Sequence, residues 1–413
     1  MLDPEIDIVT PSVFTDMTSL HRKYKKLRTE NPVCWMEPDG YRPFWALTKH
    51  KDVMDVAKQN NVFLNGPRTQ LFPAVVEDYI KMARPDGVGL IRSIVHMDGP
   101  EHKVYRNLVQ PWFMPGNLKK VVEPKVATLA AVYSKKMMEM EGECDFVRDV
   151  ALWYPLRVIM SILGVPDEDE PLMLKLTQEV FGPFDPDNQQ GDAPPDMTFI
   201  IDQFFDYFRD LAKDRRRNPK NDLASVIANA SVNGADIPDF EAMSYFTVIA
   251  TAGHDTTSSS SAGGLLALIE HPEEFVKLRA APEMMATAVD EMIRWVSPVR
   301  HFMRTAASDH EIRGQTIKAG QDVLLAYPSA NRDDDVFEQP DMFITGRKPN
   351  PHLAFGFGAH YCLGHMLAKM EIAALFQELI KSTSHFELNG TPSWTASNFI
   401  GGLKTLPIRF AAS

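Results

Sequence analysis

Cysteine is scarce in this chain. There are three in 413 residues, Cys34, Cys144 and Cys362, and no two are close together. An odd, scattered trio offers no disulfide framework and fits a reducing compartment, so the expected location is cytoplasmic. The same scatter contains no Cys-x-x-Cys pair, which argues against a structural zinc site. Long hydrophobic runs are also missing. Apolar stretches end well short of the roughly 18–20 residues that span a bilayer, so no membrane segment is expected. The opening segment MLDPEIDIVTPSVF carries acids and prolines and reads as neither signal peptide nor anchor. Positive charge is not in excess. Lys and Arg number 43 against 55 Asp and Glu, a net charge of -12, which argues against nucleic acid as a partner. Repeats and long low-complexity segments are absent. The remainder is ordinary globular composition, 44% hydrophobic and 24% charged, with enough length for a large core.

Hydrophobic periodicity predicts a mainly α protein with small β-sheets. Helices are expected at 50–60, from Pro100 to Leu108, and at 117–141, 149–163, 168–181, 197–217, 221–230, 239–270, 272–280, 282–296 and 363–382. Residues 31–48 read as a β-hairpin. The segment 299–326, with HEIRGQTIKAGQDVLLAY, and the segment 384–410 hold short strands. Residues 62–95 read as a long irregular loop with short helices, and 182–196 as a mobile surface loop between two helices.

The most informative segment is FGFGAHYCLG, residues 355–364. Cys362 sits in a loop of glycines and aromatics just before a helix. A thiolate there gains from the helix dipole and free backbone N–H groups. Glycines let the backbone approach a flat, bulky ligand. Phe355, Gly358, Cys362 and Gly364 thus read as a socket offering one sulfur to one face of a planar group, which points to haem with Cys362 as the axial metal ligand. A lone cysteine is more often a buried apolar residue, but the glycine–aromatic frame and His360 weigh against that. A cysteine hydrolase would use His360 or His365, yet no separate oxyanion loop is evident.

Residues 245–261, YFTVIATAGHDTTSSSS, lie in the long helix predicted at 239–270. Gly253, Asp255, Thr256 and Thr257 are unusual inside an apolar helix. One reading has the hydroxyls bonding carbonyls one turn back. The other has the helix opening locally beside a ligand. Oxygen activation consumes protons, and Asp255 beside Thr256 could deliver them.

Haem carries two carboxylates that need cations or donors when buried. His102 and Arg106 share one helix face, Arg304 lies in an apolar context, and His360 neighbours the sulfur. Each alone is commonly a surface or salt-bridge residue. Glu291-x-x-Arg294 with Arg347 reads as a partly buried structural ion network.

Taken together, these motifs resemble the cytochrome P-450 family, the haem-thiolate monooxygenases. The resemblance covers essentially the whole chain. It is carried by Phe355 to Gly364, by Ala252-Gly253-His254-Asp255-Thr256-Thr257, by Glu291-x-x-Arg294 with Arg347, and by His102-x-x-x-Arg106. It implies one domain over residues 1–413, an α-rich triangular prism with haem b between the long central helix and the cysteine loop. It also implies Cys362 as proximal ligand, Thr256 and Asp255 as proton relay, and His102, Arg106, Arg304 and His360 on the propionates. The pocket implied is Phe72, Tyr245, Val248, Ile249, Ala252, Val299, Met303 and Phe399. Soluble bacterial members, and the terpineol hydroxylase branch among them, are similar in CDFVRDVALWYPLRVIMSILGVPDEDEPLMLKLTQ, ATAGHDTTSSSS and YPSANRD. Ile344, Gly346 and Pro351 depart from that branch on the proximal side.

The function implied is hydroxylation of a small apolar monoterpenoid or alkyl-aromatic with O2. Electrons would come from a 2Fe-2S ferredoxin and its reductase, because the chain shows no flavin or nicotinamide fingerprint. Lys103, Arg106, Lys119, Lys120, Lys348 and Lys369 are candidates for the ferredoxin patch. The alternatives are the same chemistry on a steroid, fatty acid or polycyclic aromatic, a peroxide-driven haem enzyme, and a haem-based gas sensor or carrier. A sensor or carrier needs no acid–alcohol pair and usually has an output domain.

Overall fold

A helix of 32 residues, Asp239–Glu270, forms the axis of the protein in a computed structural model that describes residues 5–83, 89–181 and 196–413. Pro238 precedes it, and Asp239 and Glu241 sit in its first turn, where acids favour the positive end of the helix dipole. It is buried on most sides, so its sequence shows no polar face along most of its length. The helices Trp153–Leu163, Met197–Arg217, Met285–Val296 and His365–Ser382 pack around it. Small residues set the closest of these approaches. A Cβ on Gly263 would meet Val296 Cγ2 at 2.5 Å, and one on Gly264 would meet Met292 Cγ at 2.8 Å.

The helices Met197–Arg217, Asp239–Glu270 and Pro272–Ala280 occupy the expected bounds. Two others are interrupted. Residues 117–141 divide into a wide turn Leu118–Val122 and the helix Glu123–Met138, where Pro124 contributes no N–H to a regular first turn. Residues 149–163 likewise begin in a wide turn, Val147–Ala151, before the helix that contains Pro155. The loop expected at 182–196 lies, apart from Asp196, outside the described residues.

The main sheet has five strands in the order Val33–Met36, Phe44–Leu47, Asp322–Ala326, His301–Ala306 and Phe63–Leu64. Only the pair Phe44–Leu47 and Asp322–Ala326 is parallel. The expected hairpin in 299–326 is smaller than the segment. His310–Ile312 and Gln315–Ile317 pair across Arg313 and Gly314, while Asp322–Ala326 leaves them to join the main sheet. In that sheet Val323 lies opposite Arg304 and Leu325 opposite Phe302. Among the described residues no helix is long and apolar enough to cross a membrane.

Candidate functional site

The cysteine loop is held by its own backbone and by the helix it precedes. Cys362 N–H donates to the Phe355 carbonyl at 2.9 Å, and Gly356 N–H donates to Leu353 at 2.8 Å. Leu353 N–H in turn donates to Asn331 Oδ1 at 2.6 Å. Burial raises the thiol pKa, while the N–H groups of Gly364 and His365 and the charge of Arg106 act in the opposite direction. Cys362, Phe355 and Gly364 all line one cavity. Gly358, expected beside the cofactor, is not among the residues that line this cavity. It has φ +75°, and a Cβ there would lie 2.3 Å from the Ala57 carbonyl oxygen. Its glycine docks the loop on the helix His50–Lys58.

The central helix forms the facing wall with Val248, Ile249, Ala252, Gly253, Thr256 and Ser260, one stripe at helical spacing. The helix is unbroken there, so the local opening, one of the two readings of this segment, is not found. Its hydroxyls bond backward instead, Thr251 to Thr247 at 2.8 Å, Thr256 to Ala252 at 2.8 Å and Ser260 to Thr256 at 2.8 Å. Asp255 does not line the cavity with Thr256. Its Oδ1 lies 3.3 Å from His254 Nδ1, and its Oδ2 is buried without a partner. Burial raises its pKa, and His254 works against that rise.

His102 and Arg106 from the helix Gly99–Val109, Arg304 from the strand His301–Ala306 and His360 from the cysteine loop converge on the same cavity. The rings of His102 and His360 stand 4.0 Å apart, and Nε2 of each is buried without a hydrogen-bond partner. Arg106 donates to the Tyr361 carbonyl at 2.7 Å and Arg304 to the Met303 carbonyl at 2.7 Å. Desolvation lowers the pKa of all four groups, and for His360 the nearby His102, Arg304 and Arg106 lower it further. Among the described residues none of the four forms a salt bridge with a carboxylate. Buried cationic and donor groups of this kind fit an anionic ligand, and the two propionates of haem would be suitable partners.

Val248, Ile249, Ala252 and Val299 line the cavity as expected, but Phe72, Tyr245, Met303 and Phe399 do not. Tyr245 is buried under Tyr105 and donates to the Tyr105 carbonyl at 2.6 Å. Met303 belongs to a separate core with Leu20 and Phe44. Phe399 stands behind Phe302, with ring centroids 5.5 Å apart. Phe72 is half-buried elsewhere. Phe302, Ile94 and Val95 line the cavity instead. Strand alternation could have found Phe302, because it shares a face with Arg304.

Beneath the site, Glu291 holds two arginines. Arg294 donates to it at 2.7 and 2.8 Å and Arg347 at 3.0 Å. The remaining guanidinium hydrogens go to carbonyls of the chain before the cysteine loop, including Asn331 at 2.8 Å and Met342 at 2.9 Å. The network is structural, as its sequence suggested.

A thiol at a helix start, a facing alcohol and four converging basic groups fit a haem-thiolate oxidoreductase. The family model for cytochrome P450 matches residues 8–408, and the chain belongs to that family. It is 42% identical over 412 residues to cytochrome P450-terp of Pseudomonas sp, covering 98% of this chain and 96% of that protein. It is 30% identical to linalool 8-monooxygenase of Pseudomonas putida, covering 97% and 98%. The crystal structure of CYP108D1 from Novosphingobium aromaticivorans DSM12444 superposes with a TM-score of 0.91 at 40% identity, covering 98% of this chain and 97% of that one. The protein is a cytochrome P450 monooxygenase, and proteins of this family bind haem b through a cysteine thiolate.

Proposed function

We propose that this monooxygenase hydroxylates a small apolar substrate, a monocyclic monoterpenoid or an alkyl-substituted aromatic of similar size, in the cytoplasm. The observation that carries this reading is the wall above the cysteine. Val248, Ile249, Ala252, Val299 and Phe302 are apolar and offer few anchors for a polar molecule. Such a wall rewards burial at about 25 cal/mol per Å². Two relatives with terpenoid names, cytochrome P450-terp and linalool 8-monooxygenase, support the same class.

In this reading Cys362 ligates the iron, with Phe355 and Gly364 against the cofactor. His102, Arg106, Arg304 and His360 hold the propionates. Haem supplies the activation of O2 and the insertion of one oxygen atom into a C–H bond. Asp255 holds a proton and Thr256 orients it toward the cavity. Electrons come from a separate 2Fe-2S ferredoxin and its reductase. The whole chain, 1–413, acts as one domain.

A spectral titration of the ferric protein tests the substrate class. A ten-carbon ring compound such as α-terpineol or p-cymene is expected to expel water and shift the spin state from low to high, with little response to a sterol or a long fatty acid. Tight binding and coupled turnover of a sterol, with none for any ten-carbon ring, would overturn the reading.

A further inference from the structure

His254 lies between Gly253 and Asp255 on the central helix but does not line the cavity. Its side chain is fully buried, and both ring nitrogens meet groups from other elements. Nε2 lies 2.8 Å from the carbonyl oxygen of Leu152, at the head of the helix Trp153–Leu163. A carbonyl only accepts, so Nε2 carries a hydrogen. Nδ1 lies 3.4 Å from the Thr177 hydroxyl and 3.3 Å from Asp255 Oδ1. Thr177 gives its own hydrogen to the Leu174 carbonyl at 2.9 Å, leaving only lone pairs toward the ring.

Nδ1 therefore faces acceptors. Bare lone pairs on Nδ1 and Oδ1 would repel in a site with little water. A proton held between them removes that repulsion. It sits on nitrogen, as imidazolium opposite carboxylate, or on oxygen, as a neutral acid opposite a neutral ring. Either way the pair holds one proton and no net charge. No other charge intrudes among the described residues. The neighbouring elements present Leu152, Ile159 and Thr177 to this stretch, and His254 is the one titratable group that acts on Asp255.

We propose that His254 is the positioning residue for Asp255. It fixes the carboxyl from Leu152 and Thr177 and shares one proton with it, which Asp255 passes toward Thr256. Each proton passed on leaves the pair with one negative charge, and one proton taken up from solvent restores it. No electrons move in this step. The inference rests on the relay reading of Asp255 and Thr256 above.

The test uses the haem-loaded enzyme with His254→Gln and His254→Phe. Glutamine can still donate to Leu152 but holds no dissociable proton, and phenylalanine only fills the volume. With the carbon monoxide band and the substrate spin shift retained, both variants are expected to release peroxide, with product per reduced cofactor down about tenfold. The alkaline limb of coupled turnover should move to higher pH, since Asp255 loses the group that opposes its raised pKa. In protein labelled with 15N-histidine, His254 should carry hydrogen on Nε2, and Asp255→Asn should shift its Nδ1 signal. Wild-type coupling and an unchanged pH profile in His254→Gln, with Asp255→Asn still uncoupled, would overturn this proposal and leave the relay standing. Full coupling in Asp255→Asn and Thr256→Ala would overturn the relay itself. Should neither His254 variant bind haem, the wild-type spectrum decides, and a ring with hydrogen on Nδ1 alone would overturn the proposal.

Discussion

The hydroxyl of Thr256 donates to the carbonyl of Ala252 at 2.8 Å. Its one hydrogen is committed to the helix, and only its lone pairs remain for the cavity. Thr256 can therefore accept and orient a proton donor more readily than act as one. Thr256→Ala is expected to bind substrate and consume reduced cofactor while releasing peroxide, with product yield down about tenfold. Thr256→Ser keeps the acceptor and should keep most of the coupling. Simultaneous assay of product, peroxide and cofactor consumption separates these outcomes, and full coupling in Thr256→Ala would count against the relay.

Cys362 is the described thiol in the cavity wall, while Cys34 and Cys144 lie elsewhere. The reduced, carbon monoxide-bound protein should show the strongly red-shifted Soret band of thiolate ligation. Cys362→His is expected to abolish that band, and an unchanged spectrum would reject the assignment.

Lys119 and Lys120 are exposed on the wide turn Leu118–Val122. Two other candidates for a ferredoxin patch are already engaged, Lys369 with Asp290 at 2.6 Å and Arg106 with the Tyr361 carbonyl. Reversing Lys119 and Lys120 to Glu should raise the apparent KM for ferredoxin several-fold at low salt. The effect should shrink near 0.15 M salt, where charges are screened over about 8 Å. An unchanged KM at low salt would exclude this pair.

Glu291 and Arg294 are fully buried, and Arg347 nearly so. Glu291→Ala would leave two guanidiniums without their anion, at a cost of about 3–5 kcal/mol. A urea midpoint close to wild type would show that the network is dispensable.

Glu371 is buried on the helix His365–Ser382, with Oε2 unpaired, and burial pushes its pKa well above the ordinary carboxylate value. The folded state therefore binds this proton more tightly than the unfolded state. Its stabilising contribution is full below the ordinary value of about 4.3 and is lost as pH rises toward the raised one. Glu371→Gln should gain stability relative to wild type as pH rises above the ordinary carboxylate value of about 4.3. A stability difference that stays flat over that rise, read from urea midpoints, would contradict the shift.

Some of this protein was decided within short stretches of sequence. The bounds of Asp239–Glu270 follow from Pro238, the acids of its first turn and a long apolar stretch. The loop Phe355–Gly364, the acid–alcohol pair and Glu291-x-x-Arg294 each place their chemistry within a few residues, where local backbone geometry sets which groups meet. The rest depended on segments far apart in the chain. Phe302 rather than Met303 faces the cavity because the pairing of His301–Ala306 with Asp322–Ala326 turns alternate side chains to opposite faces. Gly358 is a glycine because the Ala57 carbonyl comes within 2.3 Å of where its Cβ would stand. His254 meets Leu152 and Thr177 across 102 and 77 residues. A linear pattern specifies which face an element offers, but which surface arrives against that face is fixed only when the helices pack.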